Sequence, residues 1–210
     1  MHDVAKKVRT LTFILVAIYQ SAYGTSANEE LLLAGKKGNL LALQRAIKGG
    51  ADVNIKDPRG ASLLHLAVAQ NRRGMALLLF HYGINYNAVD SKGQTPLHLA
   101  VKLDMFSGNN WVSFLLGQPK MIIDVHICDN NGNTPLHLAI HLLSNLINCS
   151  HHMFLFTINI YRLKAIIFTL AEFMEPQARI NIRNKQGMTT DEMLNEPRIK
   201  KLLEFLDRDG

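Results

Sequence analysis

The 210-residue chain has only two cysteines, Cys128 and Cys149, and neither sits in a C-x-x-C pair or a Cys/His grouping with metal-ligand spacing. A disulfide framework or a zinc site is therefore not what holds it together. There is no glycine-rich phosphate loop, no nucleophile elbow and no carboxylate pair in a recognisable frame, so the usual handles for nucleotide, acyl and glycosyl chemistry are missing. Charge is modest: 19% of residues are charged against 48% apolar, the balance of a folded chain and not of a disordered tail. The net charge of +6 permits nucleic acid or an anionic membrane as partner. However, Lys36, Lys37, Arg72, Arg73, Lys200 and Lys201 are scattered with acidic residues between them, the pattern of a solvated surface, and no nucleic-acid partner is expected.

The first segment carries its own signal. Lys6, Lys7 and Arg9 precede an uncharged apolar run from Leu11 to Tyr19, and small residues follow at Ser21, Ala22, Gly24, Thr25, Ser26 and Ala27. That order is the layout of a secretory signal peptide over residues 1–27, with Ala22-Tyr23-Gly24 or Thr25-Ser26-Ala27 as cleavage triplets near 24 or 27. The run is well short of the roughly 20 residues of a membrane-spanning helix. Export, periplasmic or extracellular, is the expectation, with no stable membrane insertion once the signal is removed. Cleavage after Gly24 removes three basic residues and Asp3, taking +6 to +4. In an oxidising compartment the two cysteines still need not pair. A helix from Pro135 out to Cys149 would separate them by roughly 20 Å along its axis, and a disulfide needs Cα atoms within about 7 Å.

Internal repetition organises the rest. "PRGASLLHLAV" (58–68), "SKGQTPLHLAV" (91–101) and "NNGNTPLHLAI" (130–140) are copies of one unit, and its glycine recurs at Gly60, Gly93, Gly132 and Gly187. Three residues before each stands Asp57, Asp90, Asp129 or Asn184, at the end of an alternating stretch: "ADVNIKD", "INYNAVD", "IDVHICD" and "ARINIRN". The unit reads as turn, helix, helix, then an extended hairpin arm. Thr95 and Thr134 are N-caps followed by Pro96 and Pro135 at the first helical position, and Ser62 keeps the cap without the proline. The glycines supply the freedom a tight turn needs.

These units resemble ankyrin repeats. The pattern D-x-x-G-x-T-P-L-H-L-A matches Asp90–Ala100 and Asp129–Ala139 at every fixed position, and the resemblance runs roughly from Asn28 to Gly210. It implies an all-α repeat solenoid, helix-turn-helix units joined by β-hairpin-like arms. An N-terminal capping repeat would span 28–57, with repeats over 58–90, 91–129 (with an arm insertion at Gln118–Ile122) and 130–184 (with a long helical insertion broken near Ser150–His152). A C-terminal capping repeat with a polar face would close the stack over 185–210. The insertion reads either as packing that thickens the core or as an apolar surface for a partner; Arg162 and Lys164 oppose a transmembrane span.

His65, His98 and His137 recur in register, which assigns them to the unit and not to one active site. The resemblance implies a structural role, bonding to backbone and to the motif's threonine hydroxyl. His137 and His141 share the i, i+4 spacing of a zinc pair, but Leu138 occupies the place of the metalloprotease glutamate. No metal, cofactor or catalytic residue is expected. A hydrolase using His141, His151 or His152 is the weakest rival, and an inhibitor or immunity-type protein capturing one enzyme is another. What remains is a non-enzymatic module, expected to be a monomer, binding an unidentified protein through hairpin tips and the concave helix face. By resemblance the positions able to bind are Lys56, Arg59, Val89, Lys92, Asn130, Asn131 and Lys185 at the tips, with Gln70, Asn71 and Lys102 on the helix ends.

Overall fold

The computed structural model describes residues 26–118, 122–148 and 153–208. All but Ser26 and Ala27 of the segment expected to direct export, the middle of the Gln118–Ile122 bulge and the break near Ser150–His152 lie outside the described residues, as does Cys149; Cys128 is an exposed free thiol.

Helices come in pairs. α1 (Ala27–Lys37) packs on α2 (Leu40–Lys48), α3 (Leu63–Ala69) on α4 (Arg73–His81), and α5 (Pro96–Ser107) on α6 (Trp111–Leu116). α7 (Pro135–Asn148) packs on α8 (Met153–Phe173), and the short α9 (Pro176–Asn181) leads into α10 (Thr190–Leu194) and α11 (Pro197–Arg208). The first members of the pairs form an inner row, α1, α3, α5, α7 and α10 in order. Outside them α2 lies against α4, and α6 against α8. Ala67, Ala100 and Ala139 are fully buried between inner helices, where a missing side chain is what allows close approach. Leu64, Leu97 and Leu136 fill the same level of successive units. Each such leucine contributes on the order of 2 kcal/mol by leaving water.

Helix starts follow local chemistry. Ser62, Thr95 and Thr189 each accept from the backbone N–H three residues on, and Thr134 does the same for His137 at 3.3 Å. α1 begins behind a reciprocal Ser26–Glu29 capping box.

The arms are hairpin-like and short: each turn closes with a backbone bond across it, from Asp57 N–H to Ala61 O and from Asp90 N–H to Gln94 O at 2.9 Å, and among the described residues the one strand-type pairing is an isolated bridge between Lys56 and Ser62. One expectation changes: "ARINIRN", expected to be extended, is helical up to Asn181, because Pro176 sits at the first helical position where its fixed φ favours a start.

The long fourth unit is mostly packing. Along α8, Ile160, Leu163, Ile166, Ile167 and Leu170 recur at helical spacing, with Met174 just past its end, and are buried where α8 packs on α5, α6 and α7. Its cations serve the fold too. Arg162 donates to the carbonyls of Met105 (3.5 Å) and Phe106 (3.1 Å) near the end of α5. Lys164 reaches Leu206 O at 2.9 Å and Asp207 at 2.7 Å. Among the described residues no helix is long and apolar enough to cross a membrane.

Candidate protein-binding face

The face is built from four turns and the inner helices behind them. In each turn one side-chain oxygen ties two backbone donors. Asp57 Oδ1 accepts from Arg59 and Ala61, Asp90 from Lys92 and Gln94, Asp129 from Asn131 and Asn133, and Asn184 from Gln186 and Met188, all at 2.8–3.1 Å. The chain can close this tightly because the glycine adopts a positive φ, +72° at Gly93. A Cβ there would lie 2.8 Å from Asn130 N in the next turn.

Successive turns are then bonded tip to tip. The N–H groups of Ser91, Asn130 and Lys185 donate to the carbonyls of Arg59 (3.0 Å), Lys92 (2.9 Å) and Asn131 (2.9 Å). The histidines form a second, buried ladder. His98 Nδ1 accepts from the Thr95 hydroxyl at 2.9 Å and from Thr95 N–H at 3.2 Å, while Nε2 donates to Asn133 O of the next turn at 2.9 Å. His65 makes the same bonds to Ser62 and, at 2.8 Å, to Gln94 O; His137 makes them to Thr134 and, at 3.3 Å, to Met188 O. A carbonyl can only accept, so Nε2 carries the proton and Nδ1 is bare. Burial pushes all three imidazoles below their ordinary pKa of 6.5, with the backbone acceptors opposing it. These are neutral struts, in no position to exchange protons with a substrate.

Between tips and inner helices lie two adjoining hollows. One of about 320 Å³ is walled by Arg59, Asp90 and Lys92 at the tips and by Leu66, Leu99 and Lys102 on α3 and α5. The other, about 280 Å³, is walled by Asn131, Lys185 and Gln186 at the tips and by Lys102, Leu138 and His141 on α5 and α7. Lys102 and Gln94 line both, so they form one groove.

Residues 31–121 match the family model for ankyrin repeats, in three copies. The fold is an ankyrin-repeat stack. The chain is 48% identical over 50 residues to the ADP-ribosylation factor GTPase-activating protein AGD1 of Arabidopsis thaliana, which is 24% of this chain and 6% of that protein. It is 37% identical over 84 residues to an ankyrin repeat protein of Pyrobaculum aerophilum, 38% of this chain and 30% of that one. With protein phosphatase 1 regulatory subunit 27 of Homo sapiens it shares 29% identity over 99 residues, 47% of this chain and 61% of that one. The chain thus spans less than two thirds of the length of each of these relatives. Beyond residue 121 the same turn and histidine bonds continue to Met188.

The ankyrin stack sorts the ten expected binding positions into two groups. Arg59, Lys92, Lys102, Asn131 and Lys185 line the groove. Lys56, Gln70, Asn71, Val89 and Asn130 do not, and their polar atoms join neighbouring units. Lys56 Nζ donates to Val89 O at 2.7 Å, Gln70 to Lys36 O at 3.1 Å, Asn130 Nδ2 to Ser91 O at 3.0 Å, and Asn71 Oδ1 accepts from the buried Trp111 indole at 2.9 Å. Sequence reasoning passed over Asn54 and Asn87, whose side-chain oxygens accept from Asn85 N–H (2.7 Å) and Asp124 N–H (2.9 Å) in the following units. It also passed over Asp104, a buried carboxylate on α5 that accepts from Val112 N–H at 2.8 Å and so caps α6 from outside. Burial raises its pKa above the ordinary 3.8. His141 is exposed and 3.3 Å from Asn145; among the described residues no three His, Cys, Asp or Glu side chains are grouped as metal ligands.

Proposed function

We propose that this chain is an exported, non-enzymatic, monomeric module that binds a partner protein in the groove between turn tips and inner helices. Ankyrin repeats imply protein–protein interaction. The observation that carries the reading is the groove itself. Fold-forming bonds fix its walls, while the side chains of Lys92, Asn131 and Lys185 project from the tips and are exposed. Export is supported by the basic, apolar and small-residue order of the first 27 residues. Cleavage after Gly24 is favoured over cleavage after Ala27, because the latter removes Ser26 and with it the capping box of α1.

The test has two parts. Intact mass of the protein from its native cells, compartment by compartment, is expected to give a chain starting at Thr25 in an exported fraction; a chain starting at Met1 in the cytoplasm refutes export. A photo-crosslinking residue at Ser91 is expected to give a protein adduct that the same residue at Lys200 does not. Equal labelling from both positions, or none, removes the groove as the binding face.

A further inference from the structure

The groove has a charge pattern that narrows its occupant. Four cations line it: Arg59, Lys92, Lys102 and Lys185. The carboxylates among its walls, Asp90 and Asp129, are already committed, each holding two backbone N–H groups of its own turn. Asp129 is buried as well, and its second oxygen faces the Gln94 amide at 3.5 Å. Lys102 sits where the two hollows meet, half-buried, with its ammonium on the neutral Gln94 Oε1 at 2.9 Å. Among the described residues no carboxylate oxygen lies within 4 Å of it. Burial, and then the neighbouring Lys92 charge, push its pKa down, with the more distant Asp129 and Asp90 charges opposing them. Arg59 pairs with Asp57 at 3.5 Å, but its side chain is 80% exposed and remains available. The floor between these charges is apolar, Leu66, Leu99 and Leu138 in successive units.

We infer that the partner segment lying in this groove is an extended acidic peptide whose carboxylates meet Arg59, Lys92, Lys102 and Lys185. This rests on the groove being the binding face. The repeat also sets a spacing. Packed helices stand about 8–10 Å apart and an extended chain advances about 3.3 Å per residue. One unit therefore equals about three peptide residues; Arg59, Lys92 and Lys185 stand on the first, second and fourth turns with Lys102 where the hollows meet, so carboxylates spaced by multiples of three can reach them while the residues between touch the leucine floor.

The test uses the full chain and three fluorescent peptides of about 15 residues, identical except that every third residue is glutamate, glutamine or lysine, read by anisotropy. The glutamate peptide is expected to bind at least about tenfold more tightly than the glutamine peptide, and to weaken steeply between roughly 50 mM and 500 mM salt. Lys92→Glu, at an exposed tip whose side chain the fold does not use, is expected to weaken it about tenfold. Lys102→Glu is expected to do the same, with a thermal melt to check its folding, and Lys200→Glu on the exposed face of α11 is expected to change nothing. Equal binding of the glutamate and glutamine peptides overturns the acidic assignment, and so does equal weakening by Lys200→Glu. Tighter binding of single-stranded DNA of the same length overturns it in favour of a nucleic-acid face. A Ser91 adduct whose cross-linked segment is neutral overturns the acidic partner while leaving the groove as the binding face; absence of any Ser91 adduct removes both.

Discussion

The inner and outer rows of this stack obey different rules. The inner row repeats the same bonds from turn to turn, with Nε2 bonds of 2.8, 2.9 and 3.3 Å from the three histidines to the following turns. The outer row does not repeat: α4 has 9 residues, α6 has 6 and α8 has 21. The difference follows from the kind of interaction. Inner units meet through turn and histidine hydrogen bonds as well as packing, and such bonds have direction and fail with small shifts, whereas the outer helices are seated mainly by apolar contact, which has little direction and accepts any length that fills space. Even with His137 and Met188 51 positions apart the ladder bond is still made, because the extra chain lies in α8 and at the far end of α7.

Removing a strut tests that contrast most severely. His98→Ala takes away the acceptor of the buried Thr95 hydroxyl and N–H and one of the two donors to Asn133 O, whose other donor is Asp129 N–H, and is expected to cost about 2 kcal/mol. Leu163→Met, in the outer row, is expected to cost under about 1.5 kcal/mol. Urea midpoints followed by circular dichroism give both, and similar costs would erase the distinction between rows.

A smaller contrast lies within the inner row. At Gly93 an added Cβ meets Asn130 of the next turn, whereas at Gly187 nothing lies within 4 Å. Both residues have a positive φ, so alanine at either carries the left-handed strain of about 1 kcal/mol. Gly93→Ala is expected to cost about 2 kcal/mol, since backbone must also shift. If Gly187→Ala costs as much, contact with the next unit is not what makes the turn glycine necessary.

The smallest effect is on pH. The three ladder histidines have pKa values below 6.5 in the folded chain, so the unfolded chain binds more protons as pH falls through 6.5. Their contribution is complete above pH 6.5 and declines below it, and the melting temperature is expected to drop between pH 7.5 and pH 5. Asp104 acts oppositely: its raised pKa means that its contribution is full below 3.8 and is lost as pH rises. Asp104→Asn should therefore leave the acid side of the profile steeper. A melting temperature flat from pH 7.5 to 5 would show that the imidazoles are not held as neutral struts.

How much the sequence revealed depended on how far apart the interacting residues are. Asp90, Gly93, Thr95 and His98 lie within nine residues, and their roles in turn and cap are local, so repetition alone exposed them. The same proximity made Lys56 and Asn130 look like free tip residues. What occupies them, Val89 O and Ser91 O, lies 33 and 39 residues away. Asp104 was hidden for a related reason: an aspartate in a helix reads as solvent-facing until the start of α6 folds back onto it. The groove cations were legible as positions, and only their gathering around Lys102 needed the fold.

The tip-to-tip bonds from Ser91, Asn130 and Lys185 have a mechanical consequence. They run along the rim of the groove, at a distance from the helices that resist compression, like the tension side of a leaf spring. Bending the stack so that successive tips part loads those three bonds first, at about 1 kcal/mol each. A distortion that parts the row of tips must break them one after another, so the bonds hold the proposed binding face to one curvature.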